Sequence, residues 1–269
     1  MITIGIPFHN AGQFIERAIR SVLDQTYKNF ELVLSDDGST DNSLGIAESF
    51  TDPRIIILSD GKNKGISYRL NEQISMARGG YFARMDADDI MLPNRIRNQV
   101  DFLTEHNNID VIGSPVIIIN DKDKETGLRT TGVPENITGA FLHNVFIHPT
   151  VMGKTEWFKK YGYAEDLIGA EDYDLWIRSF SHSSFFVMKD PVLYYRDTAN
   201  QKLSKYLFRQ KQIRRSQFRN RGLLKNPSYV LILGGISLLK SVAYLITHAI
   251  GIDSLLIKKR NRSLDAGDK

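Results

Sequence analysis

Up to about residue 120 the chain alternates short apolar runs with segments whose apolar residues recur three and four positions apart. ITIGIPF (2–8) is a continuous run of the kind a doubly buried strand produces, and Phe14, Ala18, Ile19, Val22 and Leu23 behind it share one helical face. FELVLS predicts a second strand, followed by the turn-rich DDGSTDNS and a helix carrying Leu44, Ala47 and Phe50. RIIIL predicts a third strand. The loop SDGKNKG then leads into a helix with Leu70, Ile74 and Ala77, and GG opens a fourth strand, YFARM. Pro93 suits the first position of a helix that continues through Ile96, Val100 and Leu103. IDVIGSPVIII reads as one further strand.

Strands alternating with helices of this length predict an α/β fold with a mostly parallel sheet covered on both faces. Ligands bind at the carboxyl ends of such strands. Three polar turns fall there, PFHN, DDGSTD and DADD, and they are expected to meet at one crevice. No G-x-G-x-x-G follows the first strand and no G-x-x-x-x-G-K-[ST] occurs, which excludes the nicotinamide and P-loop classes. Beyond residue 120, IHPTVM and SFFVM predict short strands and AEDYDLWIRSF a helix. From Gln201 onward the chain reads as helical and basic, then apolar.

Charge changes the picture. Residues 1–197 carry 20 Lys and Arg against 28 Asp and Glu, whereas residues 198–262 carry 14 against the single acid Asp253. So one-sided a run points to an anionic partner for the C-terminal part. The absence of cysteine excludes disulfides and thiolate metal sites and fits a reducing compartment. MITIGIPFHN has neither a basic n-region nor a long apolar h-region, so no secretion signal is expected.

In RMDADDIMLP, residues 84–93, the carboxylates Asp86, Asp88 and Asp89 lie within four positions. Alternation along an extended segment puts Asp86 and Asp88 on one side, where two carboxylates repel unless a cation lies between them. Hard oxygen ligands of this kind suit Mg²⁺ or Mn²⁺. A calcium loop counted from Asp86 fails, since Met91 stands where that loop needs Gly and Arg97 where it needs Glu. The competing reading is an exposed turn with Asp89 at the following helix N-terminus. In DDGSTD, Asp37 is a candidate acceptor for hydrogen bonds from a base or ribose, while Ser39, Thr40 and Asp41 are good helix caps. Lys64, beside the flexible Gly65, is either a diphosphate-neutralising cation or a solvated loop lysine.

These segments, IGIPFHNAGQFIERAIRSVLDQTYKNFELVLSDDGSTDNS, then NKGIS, then DADD followed by LP, resemble a family 2 glycosyltransferase of the GT-A fold, over about residues 2 to 200. The resemblance implies a nucleotide-sugar donor, a divalent cation (Mn²⁺ or Mg²⁺) and an inverting transfer to a hydroxyl. It places Pro7, Phe8 and their neighbours to Asn10 at the base, Asp37 at the uracil or ribose, and Lys64 and Gly65 by the donor. Asp86 lies by the ribose, and Asp88 on the metal.

The family's downstream Glu-Asp pair is GAEDYDLWIR here. Asp172 is expected as general base, with Glu171 positioning the acceptor. Neighbouring helical residues diverge by roughly 100°, so the two are not expected to aim at one proton. Trp176, four residues past Asp172, is either a sugar-stacking ring or core, and His148 of IHPTVM either lines the acceptor cleft or is structural. One departure stands out: Thr198 occupies the place where related sequences carry a metal- or diphosphate-reaching His, with Asp197 or Gln201 as substitutes.

The resemblance and the charge together divide the chain into a GT-A catalytic domain at 1–200, with a donor half at 1–115 and an acceptor half at 116–200, and a basic amphipathic tail at 201–269. Residues 202–225 hold nine Lys and Arg and no acid, which suits anionic headgroups. The following apolar runs of about 14 and 12 residues, broken by Lys240, fall short of the ~20 needed to span a bilayer. Ser237, Lys240, Ser241, Tyr244 and His248 form a polar edge, so the expectation is a helix lying in the membrane plane, with packing on the catalytic domain or on a second subunit of a homodimer as the rival. No nucleic-acid motif accompanies the basic run.

The expected function is metal-dependent transfer of a sugar from a UDP-sugar to a glycan or lipid-linked oligosaccharide acceptor at the cytoplasmic face of the membrane, in bacterial surface-polysaccharide assembly. Alternatives are a non-catalytic nucleotide-sugar sensor and a sugar nucleotidyltransferase.

Overall fold

The computed structural model describes residues 1–197 and 203–250. Thr198, Gln201 and residues 251–269, including the last basic block, lie outside them. The predicted alternation is present: β1 (Ile2–Phe8), α1 (Ile15–Leu23), β2 (Phe30–Asp36), α2 (Ser43–Glu48), β3 (Ile55–Ser59), α3 (Ile66–Met76) and β4 (Tyr81–Arg84). β1 and β2 are buried along their whole length, as continuous apolar runs require. The double glycine before β4 has a steric reason: a Cβ on Gly79 would lie 2.4 Å from the backbone of Ile2 and Thr3.

The second half adds β5 (Ile90–Met91), α4 (Arg95–Glu105), β6 (Val111–Gly113), β7 (Val116–Ile119), β8 (Glu125–Arg129), α5 (Ile137–Leu142), β9 (Met152–Lys154), α6 (Thr155–Tyr161), α7 (Glu171–Ser179), β10 (Phe185–Val187) and β11 (Leu193–Arg196). Seven strands form the main sheet in the order β10-β6-β9-β4-β1-β2-β3, and four form a smaller one, β5-β11-β7-β8. In the main sheet β1 runs parallel to β2 and β4, and β2 parallel to β3, while β9 is antiparallel to β4 and β6. The loops after β1, β2 and β4 therefore leave from the same edge.

Three expectations change. IDVIGSPVIII is not one strand. It breaks at Ser114-Pro115, where proline has no N–H to continue a ladder, so β6 joins the large sheet and β7 the small one. IHPTVM is a 3-10 turn at His148–Thr150 that runs into β9. Pro93 precedes α4 instead of opening it, since Asn94 is the N-cap.

The C-terminal segment is a helical hairpin of α8 (Leu203–Arg219) and α9 (Tyr229–Ala249). α8 docks on α7: Ser216 Oγ donates to Asp174 Oδ1 at 2.8 Å, Asn220 Nδ2 donates to the same oxygen at 2.9 Å, and Gln217 Nε2 donates to the Tyr173 hydroxyl at 3.1 Å. Asp174 itself is fully buried. α9 is a single helix of 21 residues, long and apolar enough to cross a membrane by length and composition, because neither Gly234-Gly235 nor Lys240 interrupts it. Ser237, Ser241 and Tyr244 of its polar stripe face inward, while Lys240 and His248 are exposed. Ser237 bonds to Gln210 and Arg214 of α8, and Tyr244 stacks on Tyr206 with ring centroids 4.0 Å apart. Leu231, Leu238, Leu239, Leu245 and Ile246 face outward.

Candidate active site

The first two polar turns meet as expected. Asn10, held at φ 51°, accepts through Oδ1 from the Thr40 amide at 2.8 Å, and its own amide donates to Ser39 Oγ at 3.0 Å. Asp37 is buried and accepts from the amides of Lys64 at 2.7 Å and Gly65 at 3.0 Å, and from Arg69 Nε at 3.1 Å. Gly65 sits at φ 88°, a conformation that favours glycine, and this turns both amides onto Asp37. Arg69 is itself buried and bonded to Asp60 and Glu72. Sequence reading passed over it, although its place four residues after Gly65 in the α3 stripe was visible.

Three donor-side residues stand differently from a free, exposed ligand contact. Phe8 is buried in the main core at the C-terminal end of β1, which leaves no exposed ring to line a base pocket. Pro7 is also buried, within β1. The Lys64 ammonium lies 2.6 Å from Asp60 and donates to the Tyr68 hydroxyl, so this loop cation is already paired.

At the end of β4, Asp86, Asp88 and Asp89 each offer a carboxylate oxygen within 4.8 Å of the others. Arginines frame them. Arg84 Nη2 donates to Asp86 Oδ1 at 2.5 Å, and the Arg196 amide donates to Asp89 Oδ1 at 2.9 Å. The Arg196 guanidinium bonds to the carbonyls of Asp88 and Asn120 and to Asp123. Burial and the neighbouring Asp86 charge push Asp88 up to about 6, and burial raises Asp89 well above the usual carboxylate range. Asp89 Oδ2 is buried with no partner. Carboxylate oxygens that crowd and repel one another, with Asp89 Oδ2 left without a donor, fit a divalent cation. Asp89, whose role the sequence left open, anchors the turn to β11. Asp197 pairs with Arg129.

Glu171 and Asp172 open α7. Arg84, Asp86, Asp88, His148, Glu171 and Asp172 all line one cleft of about 1600 Å³. Both acids of the first turn of α7 line this cleft. Burial, then the Asp172 charge, raise Glu171 to about 7, while its Oε2 accepts from the Gly169 amide at 2.6 Å. Asp172 Oδ1 accepts from the Tyr173 amide at 2.8 Å. His148 Nε2 shares a 2.9 Å hydrogen bond with the Tyr163 hydroxyl. Burial, with Arg84 and Arg209 nearby, holds its ring neutral.

Residues 3–162, more than half of the chain, match the description Glycosyl transferase family 2. This chain belongs to that family. It is 32% identical over 186 residues to EpsE of Bacillus subtilis, which carries a glycosyltransferase name, a match covering 66% of each chain. It is 30% identical over 196 residues to an uncharacterized glycosyltransferase of Methanocaldococcus jannaschii, covering 70% of this chain and 68% of the relative. The chain thus spans about two thirds of these relatives' length. Among solved structures, a TarS fragment of S. aureus in complex with UDP-GlcNAc superposes with TM-score 0.65 at 19% identity, covering 88% of this chain and 71% of that one. The mannosyltransferase PcManGT of Pyrobaculum calidifontis, in complex with GDP-Man and Mn²⁺, gives TM-score 0.65 at 16% identity, covering 96% and 78%. The fold is that of GT-A glycosyltransferases.

Within this family 2 transferase the stacking reading of Trp176 is corrected. Trp176 is 1% exposed and packed against Phe146, Phe185 and Trp157, with ring centroids 5.0 to 6.1 Å away, so no face is left for a sugar. The i, i+4 spacing from Asp172 put both on α7, but Phe146, Trp157 of α6 and Phe185 of β10 cover the Trp176 ring. The structure also brings in cleft residues that no motif flagged: Lys205, Tyr206 and Arg209 from α8, and Ser237 and Lys240 from α9.

Proposed function

We propose that this transferase moves a glycosyl group from a UDP-sugar to a hydroxyl of a glycan acceptor, with inversion at the anomeric carbon. Asp37, with the Lys64 and Gly65 amides and the backbone from Pro7 to Asn10, borders the base and ribose, and Asp86 lies toward the ribose. Asp88, beside Asp86, would hold Mn²⁺ or Mg²⁺. That ion would stabilise charge on the departing diphosphate. Asp172 accepts the proton of the acceptor hydroxyl as its oxygen bonds to the anomeric carbon and the bond to the diphosphate breaks. Glu171 and neutral His148 orient the acceptor. The carrying observation is that Asp86 and Asp88 line the same cleft as the Glu171–Asp172 pair.

The acceptor we propose is a polyprenyl-diphosphate-linked oligosaccharide of O-antigen, capsule or exopolysaccharide assembly, met at the cytoplasmic membrane face. The outward apolar face of α9 supports a membrane contact. α9 is roughly 31 Å long, enough to span, yet α8 lies along it with six Lys and Arg. Spanning would carry those charges into hydrocarbon at about 2.5–3.5 kcal/mol each. An in-plane helix avoids that cost.

Calorimetric titration of UDP, dTDP and GDP with and without Mn²⁺ tests the donor site. UDP binding should require Mn²⁺, vanish in Asp88→Ala and persist in Asp172→Asn, which should lose transfer by about 10²–10⁴-fold. Absence of nucleotide binding in every condition would sink this reading. Diphosphate release from a nucleoside triphosphate and a sugar phosphate would identify a nucleotidyltransferase instead.

A further inference from the structure

The cleft has a basic wall that the reaction at Asp172 leaves unused. Lys205 and Arg209 reach it from α8 and Lys240 from α9, near His148 and Glu171. Arg209 lies close enough to His148 to help hold that ring neutral. Among the described residues these three side chains have no ion pair or hydrogen bond, whereas Arg215 and Arg219, elsewhere on α8, are paired with Asp166. Three unpaired cations gathered in one cleft repel one another, and an anion between them relieves that repulsion.

The same wall borders apolar surface. Ile236 and Lys240 edge the cleft on α9. Ile232 and Leu239, four before and three after Ile236 and so its neighbours on the helix surface, are 54% and 70% exposed. The cationic wall therefore borders exposed apolar surface within about one helical turn.

We propose that Lys205, Arg209 and Lys240 form a subsite for the phosphate or diphosphate of an amphiphilic acceptor, whose apolar chain leaves the cleft over Ile232, Ile236 and Leu239 while its sugar extends toward Asp172. This rests on the glycosyltransferase reading above and assigns the acceptor's charged group to named residues. The cations of α8 and α9 thus select one anionic ligand inside the cleft, in addition to any attraction to a charged bilayer. Tyr206, stacked on Tyr244 and donating to the Lys240 carbonyl at 3.5 Å, fixes the two helices at the distance the subsite needs.

The test is equilibrium binding of farnesyl diphosphate to the full chain in EDTA, where a metal-dependent donor site does not compete. Farnesol and inorganic diphosphate serve as comparison probes. Lys205→Gln with Lys240→Gln, and separately Arg209→Gln, should each weaken farnesyl diphosphate binding about tenfold or more. Lys211→Gln with Lys225→Gln removes two exposed charges outside the cleft and should leave binding unchanged. Lys205→Arg with Lys240→Arg should restore it, which separates charge from misfolding. Equal losses in the cleft and control pairs would reduce the effect to general surface charge and overturn the proposal, as would no binding by the wild type. Inorganic diphosphate binding as tightly as farnesyl diphosphate would overturn the lipid half. UDP binding with Mn²⁺ is the independent arm: its loss in the wild type sinks the glycosyltransferase reading, and its retention in the cleft variants isolates a failure to the subsite.

Discussion

Arg84 and Asp86 form a 2.5 Å ion pair at the floor of the cleft, and the Nε and Nη1 of the same buried guanidinium have no partner. Arg84 thus sits between the aspartate cluster and Glu171 and lowers the pKa of Asp88 and Glu171 against the burial that raises both. Replacing it with Met removes a charge that opposes burial at both groups. The pH at which Mn²⁺ binding is half developed, followed by electron paramagnetic resonance, should move upward in Arg84→Met. An unchanged or lower midpoint would mean that Arg84 does not set the charge of the cluster.

Glu171, raised to about 7 by burial and then by Asp172, makes stability depend on pH. Its carboxyl holds a proton more tightly in the folded state than in the unfolded chain, whose value is near 4.5. The contribution is fully present below about pH 4.5 and is lost as pH rises through about 7. Relative to Glu171→Gln, the wild type should lose on the order of 3 kcal/mol across that window. Urea denaturation of both at pH 5 and pH 8 measures it, and a constant difference would contradict the raised value.

Trp176 supports the cleft from beneath, with its ring 6.3 Å from that of His148. Trp176→Ala should cost about 3–5 kcal/mol of stability. Trp176→Phe, which refills most of the space, should keep the acceptor KM near that of the wild type. A KM rise in a well-folded Phe variant would revive the sugar-stacking role.

On α9, Leu239 and Ile246 are 70% and 57% exposed. Leu239→Glu with Ile246→Glu should lower partition onto vesicles of 70:30 phosphatidylcholine and phosphatidylglycerol about tenfold or more. The melting temperature should hold, since neither side chain is packed. Alkaline carbonate should extract the wild type from membranes. Resistance to extraction would favour a spanning helix.

The first half of the fold was legible because its code is local. Doubly buried strands must be continuously apolar, helices covering them must repeat at three and four residues, and the polar turns holding Asp37 and Asp86–Asp88 fall at the carboxyl ends of β2 and β4 as the alternation predicts. The break at Ser114-Pro115 was written in the sequence too, though a run of Val and Ile on both sides masked it. What only the tertiary structure decided lies in contacts between distant segments. The covering of Trp176 depends on Phe146 and Phe185, the anchoring of Asp89 on Arg196, and the pairing of Lys64 on Asp60. The tail shows the difference most clearly. Helical spacing found the polar stripe of α9, but a single helix does not reveal which face its neighbour takes. Because Gln210 and Arg214 of α8 satisfy Ser237, and Tyr206 covers Tyr244, the Ser237, Ser241 and Tyr244 part of the stripe turns inward. The apolar side is left outside, and Lys240 at the boundary is brought to the cleft.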